Sequence, residues 1–347
     1  MTAATPSDHT RTGSRPLALS LGDPAGIGPE IVARAWAILR DSGPAFVVVG
    51  DRDTVSAAMP VRLNASVRRV SAPAEGAAIF AEALPVIDMP LLSPVVAGQP
   101  SPANAAAIIR WIETAVGLAL SGQVSGVVTA PIAKAPLYAA GFGFPGHTEF
   151  LAELTAGAPF EGQRGPVMML AAADLKTVLV TIHQPLRQAI EALTGDAIVQ
   201  VGRVTAEALT RDFGIARPRL ALAGLNPHAG EGGTLGREEI ELINPAAARL
   251  RALGIDCPDA RPADSLFHPG ARAGYDAVIC LYHDQALIPV KTVDFWGGVN
   301  ATLGLPIVRT SPDHGVGFDI AGRGVARPDS LIAAIRMAAE MASRRGA

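Results

Sequence analysis

Six short runs rich in Val, Ile and Leu punctuate the chain: residues 16–23 (PLALSLGD), 45–51 (AFVVVGD), 124–131 (VSGVVTAP), 176–183 (KTVLVTIH), 219–228 (RLALAGLNPH) and 275–284 (YDAVICLYHD). Their apolar stretches are continuous, which predicts strands covered on both faces. Ala-rich segments with helical spacing lie between them, notably 102–122 and 195–214. Strands alternating with helices predict an α/β fold on a mostly parallel sheet. No repeat of 20–50 residues is visible.

The ends of these runs carry the candidate chemistry. Five of them finish in or beside Asp23, Thr129, His183, His228 and His283. In open α/β sheets ligands bind beyond the carboxyl ends of the strands. A solvated loop accounts for any one polar end. It accounts less well for three histidines, in a chain that has only seven. Three imidazoles from three strand ends can hold a divalent metal and leave positions open for substrate. Taken singly, each is more commonly a hydrogen-bonded core histidine; taken as a set, the three favour the metal site. His9 lies in the leading tail, and His268 and His314 fall in loops.

Three glycine-rich stretches need separating. LGDPAGIGPEI (21–31) follows the first strand, and AGEGGTLGREE (229–239) leads into an acidic helix start. Each permits close backbone approach to a ligand, and each reads equally as a structural turn. GFGFPG (141–146) matches the dinucleotide pattern G-x-G-x-x-G as letters. Its setting is wrong for that role: KAPLYAAG before it reads as a short helix ending at Gly141, and Pro145 removes an N–H from the loop. The helical pattern of GHTEFLAELT instead places His147 and Thr148 at a helix start, where free N–H groups favour a phosphate or carboxylate. Lys134, Lys291 and Arg309 are basic residues in site-like loops and could meet such an anion.

Composition narrows the partners. The chain has 347 residues, 49% apolar and 18% charged, with a formal net charge of -3. That balance gives no case for nucleic acid or an anionic membrane. No unbroken apolar run is long enough to span a bilayer. Residues 1–14 are polar and lack an apolar signal core, so a disordered lead-in is expected. Two cysteines, Cys257 and Cys280, make no disulfide framework, which points to the cytoplasm. No GxxxxGK[ST] supports a P-loop NTPase.

The motifs LGDPAGIGPEI, TAPIAK, FPGHTEFLAELT, LNPHAGEGGTLGREE, YHDQALIPVK and GVNATLGLPIVRTSPDHGVGFDIAGRGVARPDS occur in that order. Together they resemble the 4-hydroxythreonine-4-phosphate dehydrogenases of vitamin B6 synthesis, across the chain after residue 15. The resemblance implies two α/β/α domains with a deep cleft, similar to isocitrate and isopropylmalate dehydrogenases and without a Rossmann domain. On that pattern residues 15–130 with 286–347 form the dinucleotide side, and 131–285 the metal, substrate and dimerisation side. It implies a homodimer with its site at the subunit interface and NAD or NADP as acceptor. It also implies one divalent ion (Zn, Mg or Co) per subunit on His183, His228 and His283. Substrate contacts carry over to His147, Thr148, Lys291, Asn300 and Arg309. Asp264 in RPADSLF is a candidate acid/base or orienting group, or a loop cap. No residue is assigned to the cofactor.

Many members read T-G-P-I-N-K where this chain has Thr129 to Lys134 with Ala133, so a side-chain amide is missing there. The implied reaction is oxidation of 4-phosphooxy-threonine to a 3-oxo acid, which decarboxylates to 3-amino-2-oxopropyl phosphate. Alternatives are a related phosphorylated hydroxy acid (4-phosphothreonate or erythronate), an aromatic cis-dihydrodiol, or non-catalytic phosphate-ligand binding on the same fold. Gly143→Ala tests the glycine pattern: titration with cofactor and with substrate should show substrate affinity falling far more than NAD(P) affinity. The reverse order would restore the dinucleotide reading.

Overall fold

The structure is a computed structural model that describes residues 15–60, 65–144 and 146–346. The leading 1–14 segment, with His9, and Pro145 of the glycine pattern lie outside the described residues. The chain divides into two compact units. One comprises residues up to Gly143 with Gly315–Ala339; the other comprises Phe144–His314 with Glu340–Ala347.

The first unit is built on β1 (Leu17–Ser20), β2 (Phe46–Gly50), β3 (Ser66–Arg69), β4 (Ala83–Asp88) and β5 (Val127–Thr129). Their order is β3-β4-β2-β1-β5, with every pairing parallel. Helices α1 (Gly28–Leu39), α2 (Arg52–Ala58), α3 (Pro73–Ile79) and α4 (Ala105–Leu120) alternate with them, and α5 (Lys134–Ala139) follows β5. β1 and β2 are buried along their whole length, as parallel strands covered on both faces must be. β3, at the edge, reads SVRR and is largely exposed, its arginines discouraging pairing with another strand.

With the turn before it, α4 is long and apolar enough to cross a membrane. It packs against β1, β2 and β5 and buries Ile108, Trp111, Ile112 and Val116, so it is a core helix. The indole N–H groups of Trp36 and Trp111 are satisfied by the carbonyls of Phe80 (2.8 Å) and Met89 (3.1 Å), which lets both rings stay in the core. The turn after β1 needs Gly22: its φ is +77°, and a Cβ there would collide with the Pro131 carbonyl.

The second unit holds β6 (Val167–Ala172), β7 (Leu175–Leu179), β8 (Leu220–Leu222), β9 (Ala277–Cys280), β10 (Val299–Leu303) and β11 (Arg309–Pro312). Their order is β11-β10-β6-β7-β9-β8. Most of the described strand pairings are parallel, as expected, and the antiparallel ones lie in this unit. β11, β10, β6 and β7 pair antiparallel, and only β7-β9-β8 run parallel among the described residues. Ala173, at φ +50°, and Asp174 close the tight hairpin that makes β6 and β7 antiparallel.

The helices of this unit are α6 (His147–Leu154), α7 (Leu186–Glu191), α8 (Gly195–Phe213), α9 (Asn244–Ala252), α10 (Pro269–Arg272) and α11 (His283–Val293). All six apolar runs contain strands. The helix expected over 195–214 is α8, capped by the Thr194 hydroxyl on Ala197 N–H and ended by left-handed Gly214. α8 and α11 cover this sheet.

A buried ion cluster ties the chain end into this unit. Asp212 receives Arg345 at 2.6 and 3.0 Å and Arg211 at 2.8 and 3.0 Å. Burial works against the Asp212 carboxylate, but the two guanidiniums outweigh it and hold its pKa below the ordinary 3.8. A depressed carboxyl pKa contributes stability above its unfolded value, and that contribution is lost as pH falls through the folded one. Asp212→Asn should therefore cost about 3 kcal/mol at neutral pH, because it strands buried charge. Thermal unfolding should show the gap to wild type closing as pH drops below 3.8; a gap constant with pH would mean packing, not charge, holds the chain end.

Candidate active site

Parallel pairing of β7, β9 and β8 brings three chain reversals to one edge of the second unit. Leu179 pairs with Cys280, and Leu222 with Ile279. His183 and His283 therefore leave neighbouring strands at the same level. Their ring centroids are 5.8 Å apart at an interplanar angle of 43°. They line a cavity of about 250 Å³ with Thr181, Ile182, Tyr282 and Asp284. The Thr181 hydroxyl donates to the Leu281 carbonyl at 2.8 Å and binds the two loops together. His183 has φ +51°, an uncommon conformation for a side-chain-bearing residue. Such strain persists where surrounding structure holds it, and it often marks a working site.

His228 is displayed differently. After β8 the chain makes a left-handed turn in which His228, Ala229, Gly230, Glu231 and Gly232 all have positive φ, from +43° to +77°. The turn is held from beneath by the buried Glu239 carboxylate, which accepts from the N–H groups of Leu225 and Asn226 at 2.8 Å each. The His228 side chain is consequently 69% exposed. Among the described residues no three His, Cys, Asp or Glu side chains come close enough to share a metal ion. One copy of the chain thus brings together two of the three expected ligands.

The donor chemistry nonetheless suits a metal. His283 Nδ1 lies 2.7 Å from Asp284 Oδ1, and His228 Nδ1 lies 3.0 Å from Glu231 Oε2. A carboxylate on Nδ1 fixes the proton there and turns the Nε2 lone pair outward, as in metal-bound histidines. Asp284 and Glu231 escaped the sequence reading, though each stands within three residues of its histidine.

The expected substrate residues lie in the same unit. His147 and Thr148 open α6 after Gly146, as their position in the sequence suggested. Before them, α5 is a helix and Gly141 has φ +88°, so the glycine pattern joins helix to helix and lacks the strand a dinucleotide turn needs. Arg309 is 2% exposed at the start of β11, and its Nη1 donates to Thr302 Oγ1 at 3.0 Å. Burial pulls its pKa down to about 10, partly opposed by the Glu149 carboxylate in the first turn of α6. It stays cationic at neutral pH, within the field of α6.

Asn300 pairs with Ser311 across β10 and β11, and its buried Oδ1 has no hydrogen-bond partner among the described residues. Lys291, in the last turn of α11, reaches Asp313 Oδ2 at 2.8 Å. Asp313 was also missed; it follows β11 directly and fixes the lysine beside the β10–β11 pair. Asp264 stands apart from this set: it is exposed, in a short turn at 263–265 that packs against the His228 turn.

The first unit offers a second cavity, of about 710 Å³. It opens beyond the carboxyl ends of β2 and β4 and at the start of α1, with Gly26, Glu30, Asp51, Thr54, Leu91 and Gly322 in its wall.

Comparison with known proteins agrees with this architecture. The model of the family described as "Pyridoxal phosphate biosynthetic protein PdxA" matches residues 43–338. The chain is 68% identical over 333 residues to a 4-hydroxythreonine-4-phosphate dehydrogenase of Caulobacter vibrioides, covering 96% of this chain and 99% of that one. It is 59% identical to the protein of that name from Maricaulis maris, covering 95% and 98%. The crystal structure of 4-hydroxythreonine-4-phosphate dehydrogenase from Klebsiella pneumoniae matches with a TM-score of 0.83 at 38% identity, covering 95% of this chain and all of that one. A terephthalate 1,2-cis-dihydrodiol dehydrogenase from Burkholderia xenovorans matches with a TM-score of 0.63 at 30% identity, covering 94% and 98%. With most of its length matched by the family model and by relatives of this identity, the chain belongs to the PdxA family of pyridoxal phosphate biosynthetic proteins.

Proposed function

We propose that this chain is a 4-hydroxythreonine-4-phosphate dehydrogenase of the cytoplasm. It oxidises the secondary alcohol of 4-phosphooxy-L-threonine with NAD(P)+, and the 3-oxo acid loses CO2 to leave 3-amino-2-oxopropyl phosphate. The observation that carries the reading is one unit holding a paired His183–His283 edge together with the buried cation Arg309 near the α6 start. That combination suits a small substrate with a hydroxyl at one end and a phosphate at the other.

The roles follow from the chemistry of each group. The first N–H groups of α6, with His147 and Thr148, receive the phosphate at the positive end of the helix. Arg309 adds a permanent charge, and Lys291, held by Asp313, adds a second. Asn300, opposite Ser311 on the β10–β11 pair, is a further candidate contact for the substrate. Asp264, beside the His228 turn, is the remaining candidate for moving a proton. A divalent ion on His183, His283 and His228 supplies Lewis acidity for the hydroxyl oxygen and for charge that develops during decarboxylation. The first unit's 710 Å³ cavity is of a size to take the nucleotide.

Because His228 stands apart from the other two histidines, we assign it to the site of a second copy. Exposed apolar side chains flank both places: Leu186 and Ile190 after His183, and Leu235 and Ile240 after His228. A homodimer that buries them completes both sites.

Complementation tests this directly. His183→Ala and His228→Ala should each abolish turnover while remaining folded and dimeric. Mixing and reassociating them should restore about a quarter of wild-type activity, since half the dimers are mixed and carry one intact site of two. No restoration would place all three ligands in one copy. Near-normal activity of His228→Ala in metal-free buffer would remove the metal from the mechanism.

Arg309→Met should raise KM for the phosphorylated substrate roughly 100-fold, with a smaller fall in kcat. Steady-state kinetics on the phosphorylated and dephosphorylated substrates would check this. Equal loss on both would deny Arg309 the phosphate.

A further inference from the structure

Lys291 is held from two sides. Its Nζ donates to the Asp313 carbonyl at 2.5 Å and stands 2.8 Å from the carboxylate Oδ2 of the same residue. It also lies over the Phe295 ring, 5.3 Å from the centroid. An ammonium carries three N–H donors. The Asp313 groups occupy at most two of them, so at least one is left for a ligand. The Lys291 side chain is 26% exposed.

The ring does not reach that place by chance of a loose loop. Asp294 ends α11, its N–H donating to the Val290 carbonyl at 3.0 Å. Its carboxylate then accepts from the N–H groups of Trp296 and Gly297 at 3.0 and 2.8 Å, which closes a tight turn around Phe295. Trp296 meets the Phe295 ring edge-on, with centroids 5.1 Å apart at 81°. Phe295 is nevertheless 60% exposed. Core packing therefore does not explain why an aromatic ring is fixed there, and its contact with the Lys291 ammonium does.

Resting on the reading that Lys291 meets an anionic group of the substrate, we propose that Phe295 is a positioning residue that holds the Lys291 ammonium in place for it. An aromatic face attracts a cation through its quadrupole and has no net charge. The ring thus restrains the lysine without neutralising it, whereas Asp313 restrains it and offsets its charge. The restraint matters because a free four-carbon stem loses rotamer freedom when a ligand orders it, and a stem already ordered does not.

Steady-state kinetics of the intact protein on 4-phosphooxy-L-threonine test this. Phe295→Leu keeps apolar bulk and loses the aromatic face; it should raise KM about fivefold with kcat nearly unchanged. Phe295→Tyr keeps the ring and should return KM to the wild-type value. In a Lys291→Met background Phe295→Leu should have no further effect, because the ring acts through the lysine. Where Lys291→Met turns over too slowly, calorimetric titration with the substrate gives the same comparison. An unchanged KM in Phe295→Leu would overturn the proposal, and so would an equal rise with and without the lysine, which would mean that the ring only shapes the turn. If Lys291→Met leaves substrate affinity at the wild-type value, the lysine does not meet the substrate and both readings fall. If Lys291→Met weakens the substrate while Phe295→Leu does not, only the role of Phe295 fails.

Discussion

Parallel pairing makes neighbouring strands finish at the same edge, and the chemistry of the second unit hangs from that constraint. β7, β9 and β8 are its parallel strands among the described residues, and each is followed within six residues by one of the histidines. The antiparallel half does other work. β10 and β11 carry Asn300 and Arg309 on a rigid ladder, so these candidate binding groups stand on strands and not on loops.

Holding those loops open has a cost, and the structure shows what offsets it. Residues His183, His228, Ala229 and Glu231 adopt left-handed backbone, at about 1–3 kcal/mol each. Two buried side chains of the same unit supply the compensating hydrogen bonds. Glu239 accepts the Leu225 and Asn226 amides. Gln285 accepts from Leu281 N–H at 2.7 Å and donates to the Gly224 carbonyl at 2.8 Å, linking the β8 and β9 ends. Both brace the backbone from which the candidate ligands leave.

The two units gather charge of different sign. The second unit holds the buried cation Arg309, which feels the Glu149 carboxylate in the first turn of α6, and pairs Lys291 with Asp313. The first unit's cavity gathers Glu30, Asp51 and Asp53, and its helix start is already filled by a carboxylate.

The sequence by itself determined the α/β class, the six apolar strands and the position of the α6 start, because burial on both faces and helix capping are local signals. It also placed the histidines at strand ends. It did not show β3 and β4, since SVRR is polar and β4 contains Pro85, nor β10 and β11, whose VNATL and RTSP carry site residues in place of apolar ones. Only the tertiary structure showed which strands pair antiparallel, because the partners of β10 lie far from it in the chain or carry site residues in place of an apolar pattern. Only it showed that His183 and His283 converge while His228 stands apart, because that depends on six consecutive residues of positive φ, His228 to Gly233, supported by the Glu239 carboxylate further along the chain.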